Sequence, residues 1–183
     1  HHMYKHEFVC ASSKRNIWYQ FKNHRWKELD DAIDLSKRLS DTKKGGLIYE
    51  YLNLNAHISS KVCDINSTMS NKQKQYEMEN LKTITGIISK LKITSFKKNV
   101  IQECKEMFHD PKFEEKLNSN RNLLGFDNGI YDLENCEFRD GLPEDYITFS
   151  THNNYYEFDE DDERLLEVRK FLSEVLPKEN IRE

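Results

Sequence analysis

The spacing of apolar residues changes twice along this chain. EFVCASS makes a short apolar strand, and NIWYQFK then alternates, with Ile17, Tyr19 and Phe21 on one parity and Trp18, Gln20 and Lys22 on the other. Lys22-Asn23 supplies turn chemistry before HRWKEL, and Asn23 tolerates positive φ, so a tight hairpin is predicted. That hairpin is expected to bring Trp18 and Trp26 near each other across its strands, an ordinary way to stabilise a ribbon.

From Asp30 the period becomes helical. DDAIDLSKRLSDTKK carries Ile33 and Leu39 among charged residues and predicts a modest amphipathic helix ending at Gly45-Gly46. LIYEYLNLNAHISSKV places Leu47, Tyr51, Leu54 and Ile58 at helical spacing. SNKQKQYEMENLKTITGIISKLKI puts Leu81, Ile84, Ile88 and Leu91 on one face. Ser95 is a candidate cap for FKKNVIQECKEMFH, and Asp110-Pro111 reads as N-cap and first helical position for KFEEKL.

At Asn120 the pattern returns to strands. LLGF, IYDL and ENCEFR form a predicted meander, with Asn128-Gly129 as a hairpin signal because both residues take positive φ at little cost. EDYITFST is expected to be a further short strand. DEDDERLLEVRKFLSEVL closes as a helix whose acids sit at the favourable end of its dipole. The expected architecture is α+β, with small antiparallel hairpins or meanders at both ends of the chain around a helical block.

Composition adds bounds. The 183 residues suit one ordinary domain, and six glycines and three prolines favour long regular elements. The opening HHM reads as a tag remnant (residues 1–3). No apolar run is long enough to span a bilayer, so no membrane partner is expected. Cys10, Cys63, Cys104 and Cys136 lack CxxC pairing and read as single reduced thiols of a cytosol-like compartment. The net charge of −4 hides a division, because residues 1–100 carry +8 and residues 101–183 carry −12. Either the basic half meets a polyanion and the acidic half a basic partner or plain repulsion, or the two halves mix in space and form no patch.

The chain carries no GxxxxGK[ST], GxGxxG, GxSxG or HExxH, so no nucleotide site, cofactor or catalytic residue is expected within it. The acid run Asp159-Glu160-Asp161-Asp162-Glu163 lacks calcium-loop spacing and reads as a solvated helix start, with no metal. Asp127 and Asp132 are a candidate carboxylate pair, but Asp127 sits in turn chemistry and Asp132 ends a strand, which favours a structural reading. His24 reads as an exposed turn histidine, and His57 and His109 have no ligand partner at a recognisable spacing. Nucleic-acid contact has distributed support. Trp18, Arg25 and Trp26 offer rings with a cation, and Lys14, Arg15, Lys97 and Lys98, together with Lys72, Lys74, Lys82, Lys90 and Lys92, are candidates to follow a phosphate backbone. The competing account makes the rings hairpin core and the lysines solvated helix faces.

WYQFKNHRW and NLLGFDNGIYDLENCEFRDGLPEDYITFST together resemble the domain preceding the superfamily 3 helicase core in the poxvirus-type primase-helicases of large cytoplasmic DNA viruses. Related phage and plasmid primases have a similar segment. VRKFLSEVLPKENIRE resembles the helix that leads into the family's ATPase domain. The resemblance implies an accessory domain over residues 4–164 and a lead-in helix over 165–183. It implies a non-catalytic role linking primase and helicase, aiding assembly or DNA positioning. ATP and Mg would belong to a homo-hexameric parent that unwinds DNA in the host cytoplasm, at a viral replication factory. An autonomous module for single-stranded or duplex DNA, and a metal-dependent enzyme using the back-half carboxylates, are the alternatives.

Overall fold

The computed structural model describes residues 1–64, 69–160 and 162–175. It is α+β, with two three-stranded antiparallel sheets that flank a helical block in chain order. The first sheet has strands β1 (Phe8–Ser12), β2 (Ile17–Lys22) and β3 (Arg25–Leu29) in sequence order. The block contains α1 (Ile33–Ser40), α2 (Leu47–Cys63), α3 (Asn71–Leu91), α4 (Thr94–Met107) and the single turn α5 (Phe113–Lys116). The second sheet has β4 (Leu123–Phe126), β5 (Gly129–Asp132) and β6 (Glu137–Arg139), and α6 (Glu163–Val175) follows.

The β2–β3 turn is Asn23-His24, with φ of +53° and +63°. Positive φ at both central residues twists a two-residue hairpin in the same sense as its strands. This turn pairs Lys22 with Arg25, Phe21 with Trp26 and Trp18 with Leu29. Trp18 and Trp26 are therefore not neighbours. Directly opposed residues share a face, so Trp26 lies with Phe21 and Tyr19 while Trp18 lies on the other side of the sheet.

Both faces of this sheet are covered, which is why Trp18 and Tyr19, on opposite parities, are both buried. One face sends Phe8, Cys10 and Trp18 against Ala32 and Leu35 of the α1 region and Cys104 and Phe108 of the α4 region. The other packs Ala11, Tyr19 and Trp26 around Phe113, with Ile17, Phe21, Leu117 and Tyr146 at its margin. Gln20 is buried, and its Nε2 donates to Glu7 Oε1, which also accepts from Arg38 Nη2, both at 2.9 Å. The segment after α4 covers the β1 edge. Cys10 N donates to Phe108 O at 2.9 Å and Asp110 N to Cys10 O at 3.1 Å. His1, set aside as a tag residue, lies ring to ring 4.9 Å from Phe108.

The helices form where their periodicity places them, with shifted ends. α1 stops at Ser40, five residues before Gly45, and buries Leu35 and Leu39 while Ile33 is exposed. In α2 the fully buried residue is Ile48; Leu54 faces solvent, and Leu47, Tyr51 and Ile58 pack more loosely. α3 starts at a capping box, Ser70 with Gln73, and buries Ile84, Ile88 and Leu91. Ser95 lies inside α4 instead of capping it, because the helix already begins at Thr94. Asp110 caps the turn before α5, accepting from Lys112 N at 3.1 Å, and Pro111 precedes the helix.

The second sheet corrects two expectations. Phe126 pairs with Gly129 across Asp127-Asn128, and neither Asn128 nor Gly129 has positive φ. Gly129 is required for space: a Cβ there would lie 2.6 Å from Phe138 Cζ and 2.7 Å from Arg139 O. EDYITFST is not a strand. It begins with the last two residues of a 3-10 turn (Pro143–Asp145) and continues as a strap whose partners change before a ladder can form. Ile147 O accepts from Trp26 N of the first sheet at 2.7 Å, whereas Thr151 N donates to Gly125 O of the second at 2.9 Å. In the closing helix, Glu163 alone of the acid run lies in the first turn of α6. Asp161, and residues 176–183 of the expected lead-in helix, lie outside the described residues.

Trp18 has no exposed surface and packs a tilted ring 6.1 Å from Phe108. Trp18→Ala is expected to lower unfolding stability by about 3–5 kcal/mol in urea titration. An unchanged unfolding curve accompanied by lost DNA binding would overturn its assignment to the core.

Candidate nucleic-acid interface

The candidate residues divide into two sets in space. Trp18 is fully buried and Trp26 is 3% exposed, so neither indole presents a face on which a base could stack. Trp26 packs 4.9 Å from Phe113 and 5.5 Å from Phe21, and its Nε1 donates to Pro143 O at 2.8 Å. Arg25, beside it on β3, has a side chain only 15% exposed. Its Nη1 donates to Asp127 Oδ1 at 2.8 Å, the same oxygen that accepts from Ser150 Oγ at 2.8 Å. His24 Nδ1 accepts from Gly141 N at 3.2 Å. A Cβ on Gly141 would meet His24 O at 2.5 Å, so this close approach requires glycine. His24 is thus half-buried in a joint, not an exposed turn residue.

WYQFKNHRW and the PEDYIT stretch therefore meet each other. Arg139 closes the joint from the second sheet, gripping Asp145 through two bonds of 2.7 and 2.8 Å. Asp145 Oδ2 also accepts from Leu142 N at 2.7 Å. The Arg25 guanidinium first, and then Ser150, hold the Asp127 carboxyl below the ordinary carboxylate range. Asp132 does not pair with Asp127. It caps the β5–β6 turn, accepting from Glu134 N at 2.9 Å and Asn135 Nδ2 at 2.9 Å, and the latter bond chiefly lowers its pKa. Asp162 is pulled down to about 2 by its bonds with Arg164.

The second set is exposed. Lys14 lies in the β1–β2 turn, and Arg15 next to it sits 3.7 Å from Glu114, a surface pair of little energetic weight. Lys97 and Lys98 line a cleft of about 400 Å³ between α1 and α4. Lys105 joins them from two turns further along α4, while Asn16 and Gln102 add neutral polar groups. Lys97 Nζ donates to Ser40 Oγ at 3.1 Å, a neutral partner that leaves its charge in place. The single carboxylate among the described residues of the cleft, Asp31, accepts from Asn16 Nδ2 and Ala32 N at 2.7 Å each. Those bonds, Asn16 foremost, lower its pKa.

Lys105, Asn16 and Gln102 are absent from the candidates named on sequence grounds. The spacing of Lys98 and Lys105, seven apart and on one face of α4, was the available signal. The remaining lysines, Lys72, Lys74, Lys82, Lys90 and Lys92, lie along α3 and its C-cap and do not line this cleft. Among the described residues no group of three or more His, Cys, Asp or Glu side chains is placed to hold a metal ion, and no helix is long and apolar enough to cross a membrane.

Comparison with known proteins places this arrangement. A family model described as "D5 N terminal like" matches residues 1–177. "Putative helicase L207/L206" of Acanthamoeba polyphaga mimivirus is 37% identical over 180 residues, which cover 98% of this chain and 18% of that protein. "Putative helicase 022R" of Frog virus 3 (isolate Goorha) is 28% identical over 169 residues, covering 79% of this chain and 17% of the relative. "Putative helicase 121R" of Invertebrate iridescent virus 3 is 26% identical over 196 residues, covering 98% and 20%. The chain spans less than a fifth of the length of the first two of these relatives.

Asp127 provides a check on the joint. Its carboxyl is depressed in the folded state, so the ionised form stabilises the fold above the ordinary carboxylate pKa of about 4, and that contribution fades as pH falls through the lowered value. Asp127→Asn is expected to unfold at lower urea than the wild type at pH 7, with the two curves converging in acid. A difference that persists unchanged to pH 2 would show that the carboxylate charge does not hold the joint.

Proposed function

The chain belongs to the D5 N terminal like family, and from that premise we propose that it is a non-catalytic domain of a viral DNA-replication primase-helicase. One observation carries this: nearly the whole chain aligns with proteins named as helicases while covering under a fifth of the mimivirus relative. In this proposal residues 4–164 form an accessory domain between a primase and a superfamily 3 helicase, and residues 165–183 lead into the ATPase. ATP and Mg serve the parent chain, which unwinds DNA as a homo-hexamer in the host cytoplasm. The accessory domain positions DNA or assists assembly without performing chemistry.

The joint supports this role physically. A domain that transmits position between two neighbours must resist bending, and here the two sheets are tied by Arg25–Asp127, the Trp26 indole and the strap. An autonomous DNA-binding module is the second reading, favoured by the cationic cleft between α1 and α4.

Three measurements test the proposal. The isolated chain should hydrolyse no ATP above a mock purification and should run as a monomer in light scattering. In the parent protein, deletion of residues 4–164 should leave ATP hydrolysis while reducing strand separation. ATP turnover by the isolated chain, or full unwinding by the deleted parent, would overturn the assignment.

A further inference from the structure

Lys97, Lys98 and Lys105 are conspicuous for what surrounds them on α4. Helical neighbours lie three and four residues away. For Lys97 these are Ile93, Thr94, Val100 and Ile101; for Lys98 they are Thr94, Ser95, Ile101 and Gln102; for Lys105 they are Ile101, Gln102, Phe108 and His109. None is acidic. Among the described residues none of the three lysines has a carboxylate within salt-bridge distance. A solvated helix face ordinarily mixes signs, and this one does not.

The shape agrees with the charge. The lysines gather around a concave surface whose opposite wall is the start of α1. Asp31, the only acid among the described residues there, already accepts two hydrogen bonds from Asn16 and Ala32. Ile33 is 56% exposed at this cleft, and Ile101 lines it from α4. Lys98 and Lys105 are about 10 Å apart along the helix axis, so their ammonium groups address a run of anionic groups instead of one.

We propose that the cleft between α1 and α4 holds the phosphodiester backbone of a single DNA strand through Lys97, Lys98 and Lys105, with Ile33 and Ile101 against its sugars and unstacked bases. The inference rests on the DNA-handling role proposed above, which selects a nucleic acid over other polyanions. A single strand fits better than a duplex because only unpaired bases can turn an apolar face toward the isoleucines. Gln102 supplies a neutral donor to phosphate oxygens between the cations, while Asn16 holds Asp31.

The test is fluorescence anisotropy of a labelled 20-nucleotide oligo-dT across a salt series. The triple variant Lys97→Glu/Lys98→Glu/Lys105→Glu should weaken binding about tenfold or more and reduce the salt slope by about 2, at roughly 0.7 per phosphate contact. Lys72→Glu/Lys74→Glu, on the first turn of α3, should change binding far less. Acetylation footprinting of the wild type, which needs no variant to fold, should show Lys98 and Lys105 protected by the oligonucleotide. Binding retained by the folded triple variant, equal loss in the α3 variant, or unprotected lysines would overturn the cleft while leaving DNA handling intact elsewhere. Equal displacement by poly-glutamate, or a preference for duplex, would overturn the ligand class. No binding by the wild-type chain at low salt would overturn both the cleft and the DNA-handling role.

Discussion

The seating of Trp26 is the constraint on which the rest of the architecture depends. Its backbone N–H reaches Ile147 O, its indole N–H reaches Pro143 O, and its ring lies against Phe113. A buried indole whose N–H lacked a partner would cost about 1–3 kcal/mol, so ring and strap must be placed together. Once they are, the free edge of β3 is covered, Arg25 is carried to Asp127, and Gly141 is pressed against His24. A two-stranded hairpin is marginal alone, and three strands need a buried hydrophobic face or a helix to pack on. Here two of them share one set of contacts.

The helical block is organised separately and joined through α4. Ile48, Ile84, Ile88 and Leu91 form its own core. Val100 and Ile101 pack against that core and also against the cluster containing Trp18. α4 therefore has one side committed to both cores, with Ile101 at its margin, and the other left to line the cleft with lysines. Its rigidity comes from the packed side, so the cations on its open side are presented by a fixed scaffold.

The apolar pattern made the element types and the α+β class legible, because helical and strand periods differ clearly in DLSKRLS, GIISKL and NIWYQF. The pattern did not reveal which rings meet. Shifting a hairpin's register by one residue exchanges its faces, and the turn is Asn23-His24 rather than Lys22-Asn23, so Trp26 belongs with Phe21. The Asn128-Gly129 signal marks a real hairpin, whose turn is Asp127-Asn128, for a different reason than φ. The Asn128 side chain pairs with the backbone of Tyr155, donating to its O at 2.9 Å and accepting from its N at 2.8 Å, while Gly129 makes room for Phe138. The strap was invisible as such, since alternating residues that bond first one sheet and then another read like a strand. Lys97 and Lys98 were legible as cations, but only the fold shows that Asn16, Asp31 and Lys105 share their cleft.

The division of charge along the chain does not map the field at any one place on the surface. Some acids of the second half are engaged locally: Asp127 by Arg25, Asp145 by Arg139, Asp162 by Arg164, and Asp132 by the N–H groups of its own turn. Such carboxylates project a weaker field than their number suggests, because each is paired or hydrogen-bonded nearby. The lysines of α4 face the opposite circumstance, with neutral helical neighbours and one preoccupied carboxylate. A net charge of −4 is therefore compatible with a local cationic cleft, and attraction for a polyanion depends on the unpaired charge within about a Debye length of the site, roughly 8 Å at physiological salt. The aromatic residues that first suggest nucleic-acid contact build the scaffold, and the plainer lysines are the groups left free to bind.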